Sequence, residues 1–238
     1  MPFKIIIFMI LMLLVWNGVS LHFHLTEKYD GILSSIDSID ISNDGHIFVI
    51  GSADDRAYVY NTSQGGTSSP QILTESVDNV RDVDLTGNGE WLAIADQNRS
   101  VIVYQSREGK FAVHQTIAIT DDMSDLLAMS MTDDQWLVTG HGSGKVRVYS
   151  HDGTEFEFRD LLEASQSKVT SLALSHDHLM LVVASESDVA VYAFRDDRFQ
   201  LNQTLEFGES WKRVTLTEDK QYLVISRQQD KQVSIFRN

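Results

Sequence analysis

Cysteine is absent from the chain, and proline occurs only twice in 238 residues. The first absence excludes a disulfide scaffold and a thiolate metal site, while leaving the compartment open. Basic residues are few as well: 19 Lys and Arg face 34 Asp and Glu, a formal charge of −15. A field of that sign repels phosphate backbones, so nucleic acid is not an expected partner. The marks of common enzymes are also missing. There is no Gly-x-Ser-x-Gly, no His-Glu-x-x-His and no phosphate-cradling glycine loop ahead of a helix. What is present is 42% hydrophobic residues, enough for the core of one large domain or two small ones.

The longest unbroken apolar run lies at the start. Lys4 precedes Ile5 to Trp16, and Asn17-Gly18-Val19-Ser20 follow. A basic start, a short apolar centre and small residues at 18 and 20 have the form of a secretory signal cleaved after Ser20. The run is short for a bilayer crossing, which takes about 20 residues. An uncleaved anchor, with membrane contact through this segment, is the alternative, and a buried strand of a cytoplasmic protein is the third reading. The expected organisation is a signal over residues 1–20 and one domain over 21–238, secreted or in the secretory lumen. In that compartment Asn61-Thr62-Ser63, Asn98-Arg99-Ser100 and Asn202-Gln203-Thr204 are candidate glycosylation acceptors.

A cadence of alternating small hydrophobics and a terminal aromatic returns five times. It ends at Tyr60, Tyr104, Tyr149, Tyr192 and Phe236, roughly 44 residues apart. Internal self-similarity at such a period is a fold-level signal. Aligning the units exposes an alternating strand first: Ile36-Asp-Ser-Ile39-Asp-Ile41, Val80-Arg-Asp-Val83-Asp-Leu85, then Leu126 with Met129 and Met131. Val169 with Leu172 and Leu174, and Trp211 with Val214 and Leu216, continue the column. A polar turn follows (SNDG, TGNG, TDD, SHDH, TEDK), then a denser apolar run (HIFVIGS, EWLAIAD, QWLVTGH, LMLVVAS, QYLVISR).

Period-two alternation predicts half-buried strands, and the denser run predicts a strand covered on both faces. In the third strand Val101, Val103, Val146, Val148, Val189 and Val191 line one face, with Tyr104, Tyr149 and Tyr192 on the other. A fourth strand is expected in each linker, as in Phe111, Val113, Ile117 and Ile119, with Gln71-Ile-Leu-Thr the weakest case. Four strands per unit of about 40–45 residues is the pattern of a propeller blade. The predicted fold is all-β, a β-propeller of about five four-stranded blades. Each aromatic would close a third strand and pack on the adjoining blade.

From Gly51-Ser52-Ala53-Asp54 to Tyr60, the turn Asp and the terminal aromatic resemble the Gly-Ser-x-Asp and tryptophan of WD repeats. The turn Ser42-Asn43-Asp44-Gly45 is similar to that family's Ser-Pro-Asp-Gly. The resemblance spans about residues 36 to 238 and is degenerate. The Gly-His dipeptide has no counterpart ahead of the inner strands. The residue after the aromatic is Asn61, Gln105, Ser150, Ala193 or Arg237, and the turn Asp is replaced by Asn98 and Ser143 before returning as Asp230. The family's His–Ser–Asp–Trp network is therefore not carried over. The chain supplies five units where such propellers usually have seven blades. Leu21-His22-Phe23-His24-Leu25, with Tyr29 beyond, alternates like the outer strands. Residues 21–29 are thus expected to pair with 232–236 and close the last blade. A ring completed by another chain is the alternative.

Chemistry has few candidates. His22 with His24, and His176 with His178, are pairs without an implied third ligand, where zinc needs three or four. Asp40 to Asp44 and Asp84 to Glu90 resemble calcium loops, but Ile47-Phe48 and Trp91-Leu92 stand where a late carboxylate would be. Polar turns are the simpler reading of both, and of the pairs Asp54-Asp55, Asp121-Asp122 and Asp133-Asp134. No catalytic, cofactor or metal residue is assigned. The expected function is a non-catalytic protein-binding scaffold, since loops on a rigid frame carry recognition. One alternative is a lactonase-like hydrolase with a channel metal, for which Asp37, Asp82 and Asp125 are the nearest inward carboxylates. The other is an intracellular WD-repeat-like adaptor subunit.

Overall fold

Each repeat folds as an antiparallel meander, the shortest path for a chain whose apolar residues alternate between polar turns. The computed structural model describes residues 32–63, 69–208, 210, 212–217, 219–229 and 231–238, and no α-helix occurs among them. Blade 1 holds β1 (Ile36–Ile41), β2 (Ile47–Ser52), β3 (Arg56–Asn61) and β4 (Gln71–Leu73). Blade 2 holds β5 (Val80–Leu85), β6 (Trp91–Asp96), β7 (Ser100–Arg107) and β8 (Lys110–Ala118). Blade 3 holds β9 (Leu126–Met131), β10 (Trp136–His141), β11 (Lys145–His151) and β12 (Phe156–Glu163). Blade 4 holds β13 (Val169–Leu174), β14 (Met180–Ser185), β15 (Asp188–Arg195) and β16 (Arg198–Glu206). Blade 5 holds β17 (Lys212–Leu216), β18 (Tyr222–Arg227) and β19 (Gln232–Arg237). The all-β, five-bladed propeller arrangement expected from the repeat is the fold of the protein.

The turn from first to second strand is built alike in all five blades. A hydroxyl donates to the side-chain oxygen two residues on: Ser42 to Asp44 at 2.7 Å, Thr86 to Asn88 at 2.8 Å, Thr132 to Asp134 at 2.5 Å. Ser175 to Asp177 at 2.7 Å and Thr217 to Asp219 at 2.6 Å complete the series. The same hydroxyl accepts the N–H that opens the next strand, from Ile47, Trp91, Trp136, Met180 or Tyr222. The position before that strand's lead-in has positive φ, filled by Gly45 and Gly89 and then by Gln135, His178 and Lys220. Only the first two carry the residue that tolerates this conformation freely.

The apolar faces meet between blades. Tyr104 of blade 2 packs with Val49, Val59 and Leu73 of blade 1, and Tyr149 of blade 3 with Trp91 and Val101 of blade 2. Tyr192 joins Val146 and Val148 of blade 3, and Phe236 packs on Val182 and Val189 of blade 4. Four of the five terminal aromatics thus pack on the adjoining blade, while Tyr60 stacks on Phe48 of its own blade with ring centroids 4.7 Å apart.

β1 lies beside β5, β5 beside β9, β9 beside β13 and β13 beside β17. Comparable packing of β17 on β1 is missing among the described residues. The expectation that every blade hides its aliphatic residues under a neighbour therefore holds at four seams, and among the described residues nothing comparable covers the fifth. Blade 5 shows three strands among the described residues. The expected pairing of residues 21–29, the signal over 1–20, and His22 and His24 lie outside the described residues.

Candidate functional site in the central channel

All five innermost strands face a central channel. One chamber of about 370 Å³ is lined by Asp37, Asp40, Arg81, Asp82, Asp84 and Arg213. A second, of about 450 Å³, lies towards the turns and is bordered by Asn43, Asp133, His176 and Thr217. Alternation places these groups: as Val83 and Leu85 turn back onto blade 1, Asp82 and Asp84 turn the other way.

Three of these carboxylates, those of Asp40, Asp82 and Asp84, reach the backbone of the following blade. Asp40 Oδ2 accepts the Leu85 N–H at 2.6 Å, and Asp82 Oδ2 accepts the Met129 N–H at 2.8 Å. Asp84 accepts from the Met131 N–H. Serine does the same work further round, Ser171 Oγ accepting from Val214 N–H at 3.2 Å. Ser38 Oγ also donates to Asp82 Oδ1 at 2.8 Å. The inner ring is thus laced blade to blade.

Burial disfavours the charged forms. It pushes Asp84 well above the ordinary carboxylate range, and the nearby Asp40 and Asp82 raise it further. Burial pushes Asp82 up to about 6, against the Ser38 hydroxyl, the Met129 N–H and the Arg213 guanidinium across the channel. Asp40 is raised too, again by burial, despite two backbone donors. Arg81 lies 3.8 Å from Asp37. With oxygens taken up by backbone donors of the next blade, Asp40, Asp82 and Asp84 act as latches between blades.

The channel brings together Asp37 and Asp82 of the three inward carboxylates named from sequence. Asp125 stands apart, its carbonyl accepting the Gly142 N–H at 2.8 Å. His176 and His178 turn to different carboxylates of the blade 3 turn, Asp133 at 3.9 Å and Asp134 respectively. His178 also stacks on Trp136 with centroids 4.8 Å apart. In the calcium-like loops, Asp44 Oδ1 accepts from Ser42 and the His46 N–H, and Asn88 Oδ1 from Thr86 and the Glu90 N–H. That is how a polar turn uses its oxygens. Among the described residues no group of three or more His, Asp and Glu side chains is placed to hold a metal ion. Asn98 sits exposed in the β6–β7 turn and Asn202 exposed on β16. Asn61 is half-buried at the end of β3, its Oδ1 accepting from Ser63.

Sequence reasoning missed a second set of polar groups. The last residue of the second strand is polar in every blade: Ser52, Asp96, His141, Ser185 and Arg227. The first four are buried. Asp96 accepts from Ser100 Oγ at 2.8 Å, and Ser185 bonds Ser165 at 3.0 Å. His141 meets Thr139 at 3.0 Å through Nε2, and its Nδ1 has no partner among the described residues. At the foot of blade 5, the buried Lys212 Nζ donates to the carbonyls of Ser185, Glu186, Gly208 and Ser210 at 2.6–3.2 Å. The signal was a column of polar residues closing each apolar run (…GS, …AD, …GH, …AS, …SR).

Set beside models of protein families and beside curated proteins, the chain matches none of them.

Proposed function

We propose that this protein is a non-catalytic, protein-binding scaffold, a degenerate propeller of the WD-repeat type that works in the secretory route. One observation carries the reading: the two terminal blades expose large apolar residues where the inner blades bury theirs. Ile39 is 70% exposed and Ile235 68% exposed, whereas Val83 and Val103, in the corresponding places of blade 2, are 4% and 0%. Contiguous exposed apolar surface on a rigid frame marks a site for another protein. The latch role of the channel carboxylates supports the same reading, because it ties them to architecture. Exposure of Asn98 and Asn202 supports glycosylation in the secretory lumen.

The test is affinity isolation of the tagged full chain from its native source, followed by mass spectrometry and sizing. A protein partner at fixed stoichiometry is expected. A monomer that carries stoichiometric metal and hydrolyses lactones would overturn the proposal. An endoglycosidase shift of the same material is expected, and its absence would remove the secretory assignment.

A further inference from the structure

We infer that His114 and His151 form an acid-released fastener at the outer edge of the seam between blades 2 and 3, closed while both imidazoles are neutral and opened by one further proton. Such a device goes beyond the scaffold reading and does not rest on it.

Strand geometry brings the two rings together. His114 is the extra residue of a bulge in β8, between Val113 facing Tyr104 and Gln115 facing Val103. A bulge re-aims the side chain it carries. His151 ends β11 opposite Phe156. The two Nε2 atoms stand 3.3 Å apart, and both rings pack on Trp91, with centroids 4.9 and 5.1 Å away. Beside them Gln115 clasps Phe156, accepting its N–H at 2.7 Å and donating to its carbonyl at 3.1 Å. Gln71 holds Phe111 in the same way at the blade 1–2 seam. There, however, the places of the two histidines belong to Pro70 and Ser106, and at the blade 3–4 seam to Arg159 and Phe194. Of these three seams, one sets two imidazoles face to face.

The hydrogen bonds fix where the protons lie. The Gly153 N–H donates to His151 Nδ1 at 3.1 Å. A neutral imidazole has a single N–H, so that of His151 is on Nε2 and points at His114. His114 then accepts through Nε2 and keeps its own hydrogen on Nδ1. A proton added to His114 sets two N–H groups against each other across 3.3 Å. One added to His151 sets Nδ1–H against the Gly153 N–H. Either addition removes a hydrogen bond between half-buried groups.

Burial, and then the His114 charge, hold the His151 pKa below its ordinary value, while Asp152 opposes them. A group depressed in this way contributes stability above about 6.5 that is lost as pH falls. Asp152 Oδ1 is already engaged by the Thr154 and Glu155 N–H groups. The other charges on the packed elements are turned to their own partners or to solvent. Glu90 accepts from Asn88 at 3.4 Å, Glu157 lies 3.9 Å from Arg159, and Lys110 and Glu155 are exposed. The Gln115–Phe156 clasp does not titrate, so the seam stays joined when the fastener opens.

Two measurements on the full chain test this. Two-bond ¹⁵N–¹H correlations of the unmodified protein at pH 7.5 should show one ring of the pair as the Nε2–H tautomer and the other as Nδ1–H. Thermal melts from pH 7.5 to 5 should separate the native chain from His114→Gln, whose Oε1 accepts the His151 hydrogen and takes up no proton. The two should melt within about 2 °C of each other at pH 7.5, and the variant should be roughly 3 °C the more stable at pH 5. His114→Ala, without an acceptor, should melt lower than both at pH 7.5.

The same tautomer in both rings, or parallel melting curves for the native chain and His114→Gln, would overturn the fastener. A rise in melting temperature with Zn²⁺ at pH 7.5 that His114→Gln abolishes would assign the pair to a metal ion, with the same consequence. None of these outcomes bears on whether a protein partner binds.

Discussion

The carboxylate of Asp82 in β5 receives the backbone N–H of Met129 in β9 at 2.8 Å, joining blade 2 to blade 3 through the channel wall. A buried acceptor of this kind needs its lone pair far more than its charge. Because burial lifts Asp82 to about 6, the folded state holds its proton more tightly than the unfolded chain does. Its stability contribution is complete below about 3.8 and is lost as pH rises through about 6.

Asp82→Asn, which keeps an oxygen for the Met129 N–H, should stabilise the protein at pH 8 by on the order of 2 kcal/mol. The gain should shrink towards pH 4, where the native carboxyl is protonated. Urea unfolding of both proteins across that range is the measurement, and a gain independent of pH would contradict the assignment.

His141 titrates with the opposite consequence. Burial holds it down to about 4, against the pull of Asp122. The folded state favours the neutral ring, so its contribution is present above about 6.5 and lost as pH falls through about 4. His141→Asn should lower stability at neutral pH and remove about 3 kcal/mol of acid-induced loss between those values. Thermal melts at pH 7.5, 6, 5 and 4 would show it as two converging curves.

Lys212 is buried with its ammonium among four carbonyls, a place where shape alone does not suffice. Lys212→Met preserves the aliphatic stem and leaves those carbonyls without their donor. A loss of about 2–4 kcal/mol is expected. The urea midpoint should fall with little change in slope, since the fold is kept.

Gly140 marks how closely β10 approaches blade 4. A Cβ there would lie 2.5 Å from Cγ1 of Val169 and 3.3 Å from Cδ1 of Leu172. Gly140→Ala should cost about 1–3 kcal/mol through overpacking. Val169→Ala in the same chain should recover part of that cost, a coupling that a double-mutant cycle measures. Strict additivity of the two changes would argue against this contact.

The strands were legible because their causes are local. The alternation of Val80, Val83 and Leu85, the Thr86–Asn88 turn and the Val101–Val103–Tyr104 ending each depend on residues only a few positions apart. The channel was half legible. Asp37 and Asp82 were marked as inward, yet Asp40 and Asp84 had been read as parts of turns, because their acceptor role depends on amides about 45 residues away. Lys212 carried no signal at all. The aligned sequence put Trp211 beside Val80, Leu126 and Val169, whereas strand register puts Lys212 there, and only the four converging carbonyls explain a cation at that place.

From composition and spacing alone came the blade as a unit, the number of units and the absence of a disulfide frame, since alternation, turn chemistry and residue type act within one repeat. Ile39 and Val83 look alike at that level. Which of them ends covered, and which carboxylate is pushed above its ordinary range, was decided only when the sheets took their places. Burial and desolvation belong to neighbours distant in sequence, and a strand does not encode what will lie on its far face.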